Sequence, residues 1–128
     1  MKLICSQENL NRGLGIVGRA VANRSTLPIT QNVLLSTDHS MLKLSATNLE
    51  IAMTTWIGAM VEEEGTITVP ARLLTEFVSS LPSKNIEIEL EPGSGVLKLS
   101  CGLSKATIHG ADADEFPPIP TVEIGRAH

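Results

Sequence analysis

Aromatic side chains are nearly absent from this 128-residue chain: Trp56, Phe77 and Phe116 are the only ones, and there is no tyrosine. Proteins that read single-stranded nucleic acid stack its bases on aromatic platforms, so that class of binder is excluded. If the chain meets nucleic acid, it meets a duplex backbone. Cysteine is also scarce. Cys5 and Cys101 each sit in a strand-like run and read as reduced, buried thiols, with no secretory context for a disulfide. No apolar run approaches the roughly 20 residues that a membrane helix needs. Met1-Lys2-Leu3-Ile4-Cys5 is too short for the apolar region of a signal peptide. The expectation is a cytoplasmic protein with no membrane partner. A hydrophobic content of 42% at this length supports one ordinary globular core.

What the chain does have is a segregation of charge. Residues 7–28 and 70–84, two helix-like stretches with their trailing loops, carry Arg12, Arg19, Arg24, Arg72 and Lys84 against only Glu8 and Glu76. The rest of the chain carries the opposite balance, and the whole has a net charge of −4. An acidic protein that gathers its positive charge on two helices reserves that face for a polyanion, while its remaining surface repels one. The sign pattern points to a surface that tracks a nucleic-acid backbone.

Hydrophobic spacing supplies the elements. Lys2–Cys5 reads as a short strand, and Ser6 is a good helix N-cap. Leu10, Leu14, Val17 and Val21 then recur at helical spacing as far as Asn23, the expected C-cap. At about 100° per residue these four fall within about 60° of one another, with Arg12 and Arg19 on the opposite side. Ser25-Thr26-Leu27-Pro28 ends the helix. Val33/Leu35/Thr37 and Leu42/Leu44/Ala46 read as strands joined by the turn Asp38-His39-Ser40, and one long alternating run extends from Leu49 to Val61. Glu62-Glu63-Glu64-Gly65 reads as a solvated acidic turn.

The pattern then repeats. Thr66–Val69 is a strand, and Pro70 suits a first helical position. Leu74, Phe77, Val78 and Leu81 make a second apolar stripe with Arg72 opposite it. Ile86/Ile88/Leu90 form a strand whose other face is Glu87/Glu89/Glu91, followed by Val96–Cys101 and Lys105–His109, with Ala111–Pro120 as a loop. The fold class expected is α+β: two amphipathic helices packed on antiparallel sheet, in a strand–helix–three-strand pattern used twice.

Catalytic and ligand motifs fare poorly. Gly13-Leu14-Gly15-Ile16-Val17-Gly18 is a literal G-x-G-x-x-G, with Asp38 downstream, and the functional reading is a dinucleotide fingerprint in a small nucleotide-binding domain. Such a loop follows its strand at once. Here Gln7–Arg12 intervenes and the apolar stripe starts before the first glycine. Helix glycines, permitting close helix–sheet packing or close approach of a bulky partner, fit better. Asp38-His39 lies in a hairpin turn without a nucleophile elbow, and His109 ends a strand. Asp112, Asp114 and Glu115 match no Ca²⁺ loop spacing. No catalytic residue, metal ligand or cofactor site is expected. A plain protein interaction module, recruiting a partner through exposed strand edges, stands as another alternative.

Several segments, taken in order, carry a resemblance. Arg24-Ser25-Thr26-Leu27-Pro28-Ile29 and Asn32-Val33-Leu34-Leu35 follow the first helix. Then come Thr47-Asn48-Leu49-Glu50, Thr68-Val69-Pro70-Ala71-Arg72 and Ala113-Asp114-Glu115-Phe116-Pro117. In this order and spacing the chain resembles the first domain of the bacterial DNA polymerase III beta subunit, the sliding clamp. The resemblance covers residues 1–120, leaving 121–128 as the start of an interdomain linker or next domain, with the rest of a clamp absent. It implies a non-enzymatic processivity factor: a sector of a dimeric ring that encloses duplex DNA, helices lining the hole and sheets forming the outer wall. Arg24 and Arg72 match basic positions facing the DNA, and helix geometry adds Arg12 and Arg19. The resemblance further implies a subunit interface at Leu73, Leu103, Lys105 and Ala106. Replicative polymerase and clamp loader would be met through the absent domains.

Overall fold

The computed structural model describes residues 1–20, 31–47, 51–91 and 93–111. The first strand, β1 (Lys2–Ser6), runs directly into helix α1 (Gln7–Val17), which a short 3-10 turn (Gly18–Ala20) continues. Ser6 is the N-cap that the sequence predicts: its hydroxyl accepts from the backbone N–H of Asn9 at 3.1 Å, satisfying one of the donors a helix start leaves without a partner. The α-helical part stops at Val17 rather than near Asn23, and Asn23 itself lies outside the described residues. Three glycines in six residues make a weak helix former, so the last turn tightens to 3-10.

Strands β2 (Asn32–Asp38), β3 (Met41–Thr47), β4 (Ala52–Gly58), β5 (Met60–Glu63) and β6 (Thr66–Pro70) precede helix α2 (Ala71–Ser79). Strands β7 (Asn85–Leu90), β8 (Val96–Cys101) and β9 (Ser104–His109) follow it. The doubled strand–helix–three-strand pattern is therefore real, with one addition. The alternating run is not a single strand: it breaks at Ala59, sending β4 and β5 into different sheets. Glu62 and Glu63, expected in a turn, belong to β5. Pro70 closes β6 as the N-cap of α2, so Ala71 takes the first helical position.

All pairings are antiparallel, in a five-stranded sheet of order β5-β1-β7-β8-β9 and a four-stranded sheet of order β4-β3-β2-β6. Ala111 exchanges both backbone hydrogen bonds with Thr68 (2.8 and 3.1 Å), tying the segment after β9 to β6. The helices lie against each other, α1 across β3 and β4, α2 against β2 and β6, and each also touches the five-stranded sheet.

The core follows from the two periodicities. Helix α1 buries Leu10, Leu14 and Val17, and α2 buries Leu74 and Val78. Each such side chain contributes about 1.5–3 kcal/mol relative to exposure. Opposite them, Leu35, Leu42, Leu44, Ile86, Ile88, Leu97 and Leu99 point inward at period two. Gly13 explains how close the layers come. A β-carbon there would lie 2.5 Å from Leu44 Cδ1 and 3.1 Å from Ile57 Cγ2, so α1 sits low enough on β3 and β4 that a side chain at this position would have to displace buried core side chains.

Candidate nucleic-acid interface

Helix periodicity places the arginines as the sequence predicts. Arg12 and Arg19, beside the stripe of Leu10, Leu14 and Val17, are exposed, and so is Arg72, two positions before buried Leu74. Arg12 donates to the side-chain oxygen of Asn9, one turn earlier, at 2.9 Å, which steadies its guanidinium without neutralising it. Among the described residues none of the three makes an ion pair. Arg24 lies outside the described residues.

Two lysines of the five-stranded sheet behave differently, while Lys105 on its edge strand β9 makes no ion pair among the described residues. Lys2 lies 3.6 Å from Glu62 and 3.9 Å from Glu89, and Lys98 lies 2.6 Å from Glu91. Glu87 and Glu89 alternate along β7 on the face opposite the buried Ile86 and Ile88, and Glu91 follows just past the strand's end. The hydrogen bond from Lys98, and then its charge, hold the Glu91 carboxyl below the ordinary carboxylate value. The charges of Lys2 and Lys98 are thus cancelled locally, whereas those of Arg12, Arg19 and Arg72 are not paired among the described residues. An uncancelled guanidinium attracts phosphate over a Debye length of about 10 Å, and a sheet lined with carboxylates does not.

The positions expected at a subunit interface lie on α2 and at the β8–β9 edge. Leu73 stands 54% exposed on α2, next to Arg72. Leu103 is fully exposed in the turn between β8 and β9, and Lys105 and Ala106 lie on β9, an edge strand of its sheet. Because α2 touches β9, these four residues belong to neighbouring elements. The glycine run forms no phosphate cradle: Gly13 is filled against Leu44 and Ile57 in mid-helix, and the loop of a dinucleotide fingerprint is not there. His39 protrudes in its turn with φ 57°, and its nearest acid, Asp38, is 4.0 Å away. Asp38 instead accepts a hydrogen bond from the Trp56 indole at 2.9 Å, with Lys43 over the ring. Asp112, Asp114 and Glu115 lie outside the described residues. Among the described residues no group of acids, cysteines and histidines is placed to hold a metal. No helix among them is long and apolar enough to cross a membrane.

Sequence reasoning missed Gln7. It is buried in the first turn of α1, and its side-chain amide donates to the carbonyl of Val78 in the last turn of α2 at 2.8 Å. Polarity at a helix start ordinarily signals exposure, so only its partner across the chain reveals the role.

Two helices laid together against antiparallel sheets, built from one pattern used twice, define the fold of a DNA-clamp domain. The family described as DNA polymerase III beta subunit, N-terminal domain, matches residues 1–120, and the chain belongs to that family. It is 41% identical over 129 residues to the beta sliding clamp of Synechococcus elongatus, covering 99% of this chain and 34% of that protein. It is 40% identical to the beta sliding clamp of a Synechocystis species, covering 96% of this chain and 33% of the relative. The crystal structure of the DNA polymerase sliding clamp from Caulobacter crescentus superposes with a TM-score of 0.89 at 31% identity, over 94% of this chain and 33% of that one. The chain spans about a third of the length of the relatives it matches.

Proposed function

We propose that this chain is one sector of a ring that encircles duplex DNA and slides along it, tethering a replicative polymerase without chemistry of its own. The carrying observation is the contrast between exposed arginines that make no ion pair among the described residues, on two touching helices, and a sheet on which Lys2 and Lys98 are matched to glutamates. Arg12, Arg19 and Arg72, with Arg24 by its family position, contact phosphates rather than bases. Such contacts are indifferent to sequence, as sliding requires. Leu73, Leu103, Lys105 and Ala106 form the contact with the partner subunit in a dimeric ring. Residues 1–120 are the sector itself, and 121–128 begin the connection to the next. Polymerase and clamp loader dock on sectors outside this chain. The protein works in the cytoplasm, with no cofactor and no metal.

A titration of labelled duplex by fluorescence anisotropy tests the reading. With roughly two to four phosphates engaged and no encirclement, binding by this chain is expected no tighter than about 10⁻⁴–10⁻⁶ M, weakening steeply with salt. Sub-micromolar, sequence-selective binding at physiological salt, or binding unchanged by removal of the arginines, would overturn it.

A further inference from the structure

Of the glycines in α1, Gly13 has a structural reason, the approach of Leu44 and Ile57, and Gly15 has none among the described residues. Gly15 lies in the last turn of α1, is exposed, and a β-carbon built on it would meet nothing within 4 Å among the described residues. Alanine is the better helix former at such a site, so the bare position disfavours the helix for no internal gain. Its neighbours explain it. Arg12 lies three residues before and Arg19 four residues after, the two offsets that bring helix side chains together on one face, and all three positions are exposed. Neither arginine has an ion-pair partner among the described residues, and Arg12 is oriented by Asn9.

We propose that Gly15 is the point on α1 where the sugar–phosphate backbone of duplex DNA comes closest, and that its missing side chain lets a phosphate settle between the guanidinium groups of Arg12 and Arg19. This rests on the duplex-binding reading above and adds a position to it that carries no charge. A side chain at residue 15 would stand between the two cations and hold the phosphate off both, while leaving the fold untouched.

The test compares Gly15→Ala and Gly15→Leu with the unchanged chain, titrating a labelled duplex at low salt and recording thermal unfolding beside it. Both variants are expected to melt at the same temperature or a few degrees higher. Both should bind the duplex several-fold more weakly, leucine worse than alanine, with the slope of log K against log salt reduced by about 0.9 for each phosphate that is no longer neutralised. In the unchanged chain, the Gly15 amide resonance should shift in saturable fashion as duplex is added. Binding and salt slope unaltered in both variants, or a Gly15 amide that does not move, would overturn the proposal. Arg12→Ala and Arg19→Ala separate the two levels: if they weaken binding while the Gly15 variants do not, only this inference falls. If the arginine variants also bind as before, the duplex-binding reading falls with it.

Discussion

The side-chain amide of Gln7 donates to the backbone carbonyl of Val78 at 2.8 Å, joining the first turn of one arginine-bearing helix to the last turn of the other. Gln7 is also held from behind, its backbone N–H donating to the carbonyl of Lys84 at 2.9 Å. One buried residue therefore fixes where α1 begins and how it lies against α2. Gln7→Ala should lower the unfolding free energy by about 1–2 kcal/mol, the loss of a buried hydrogen bond plus the side chain's packing. Urea denaturation at constant slope measures it. A change within about 0.5 kcal/mol, the scatter of ordinary surface substitutions, would mean the contact is incidental.

Gly13→Ala should be disfavoured, because Leu44 and Ile57 would have to shift within a packed core, although alanine is the better helix former. The added β-carbon meets Leu44 Cδ1 at 2.5 Å and Ile57 Cγ2 at 3.1 Å, both within the buried core. Overpacking of this kind typically costs about 1–3 kcal/mol, which exceeds the gain of up to about 1 kcal/mol in helix propensity. Thermal unfolding should show a lowered midpoint. A raised midpoint would mean that α1 lifts off β3 and β4 without penalty.

Those two residues mark what the sequence makes legible. The stripe of Leu10, Leu14 and Val17 announces α1, Ser6 announces its cap, and β8 runs from Val96 to Cys101 as its alternation predicts. The break at Ala59 was hidden because side chains go on alternating through Met53, Thr55, Ile57, Ala59 and Val61. A period of two records which face a residue takes, not which sheet the strand joins. Ala59 N–H still bonds the carbonyl of Ser40 at 3.1 Å, extending the β3–β4 ladder by one residue, and the very next residue, Met60, pairs with Ile4 of β1 in the other sheet. Arg12, Arg19 and Arg72 were legible because amphipathicity alone puts them outside. Gln7 was not, since a buried amide is recognisable only beside the carbonyl it satisfies.

Burial pushes the Cys5 thiol up from 9.0 to about 12. Cys5 and Cys101 are both free and buried, on β1 and β8 with β7 between them. Two strand spacings of about 4.8 Å exceed the roughly 7 Å that a disulfide spans. In the folded chain Cys5 should resist thiol reagents at pH 8 and react only after denaturation. Because the folded value is raised, the stability it contributes is fully present below pH 9 and is lost as pH rises toward 12. Between those limits the unfolded chain has given up its proton and the folded one has not, so the slope is about −1.4 kcal/mol per pH unit. Cys5→Ala should flatten that alkaline decline. Rapid labelling of Cys5 in the folded state would contradict the buried placement.

Glu91 makes the opposite test at low pH. Its carboxyl is held down by the hydrogen bond from Lys98, then by that residue's charge. A depressed carboxylate contributes stability above its unfolded value and loses it as pH falls through the folded one. Both partners are about half exposed, so the effect on stability should be small. The clean readout is the titration of Glu91 by NMR, which in Lys98→Met should move up toward the ordinary carboxylate value. An unmoved curve would place the cause elsewhere.

Removing the helix arginines separates binding from folding. Arg12, Arg19 and Arg72 are exposed and make no ion pair among the described residues, so each change to alanine should leave the unfolding free energy within about 0.5 kcal/mol. Binding should respond differently, because each phosphate neutralised releases condensed counterions. Each arginine removed should weaken duplex binding uniformly across sequences and flatten the salt dependence of log K by about 0.9. Lys98→Ala, on the sheet and already matched to Glu91, should leave both quantities alone. The comparison therefore isolates location from charge. If Lys98→Ala weakened binding as much as Arg72→Ala, net charge rather than the helix surface would be holding the DNA.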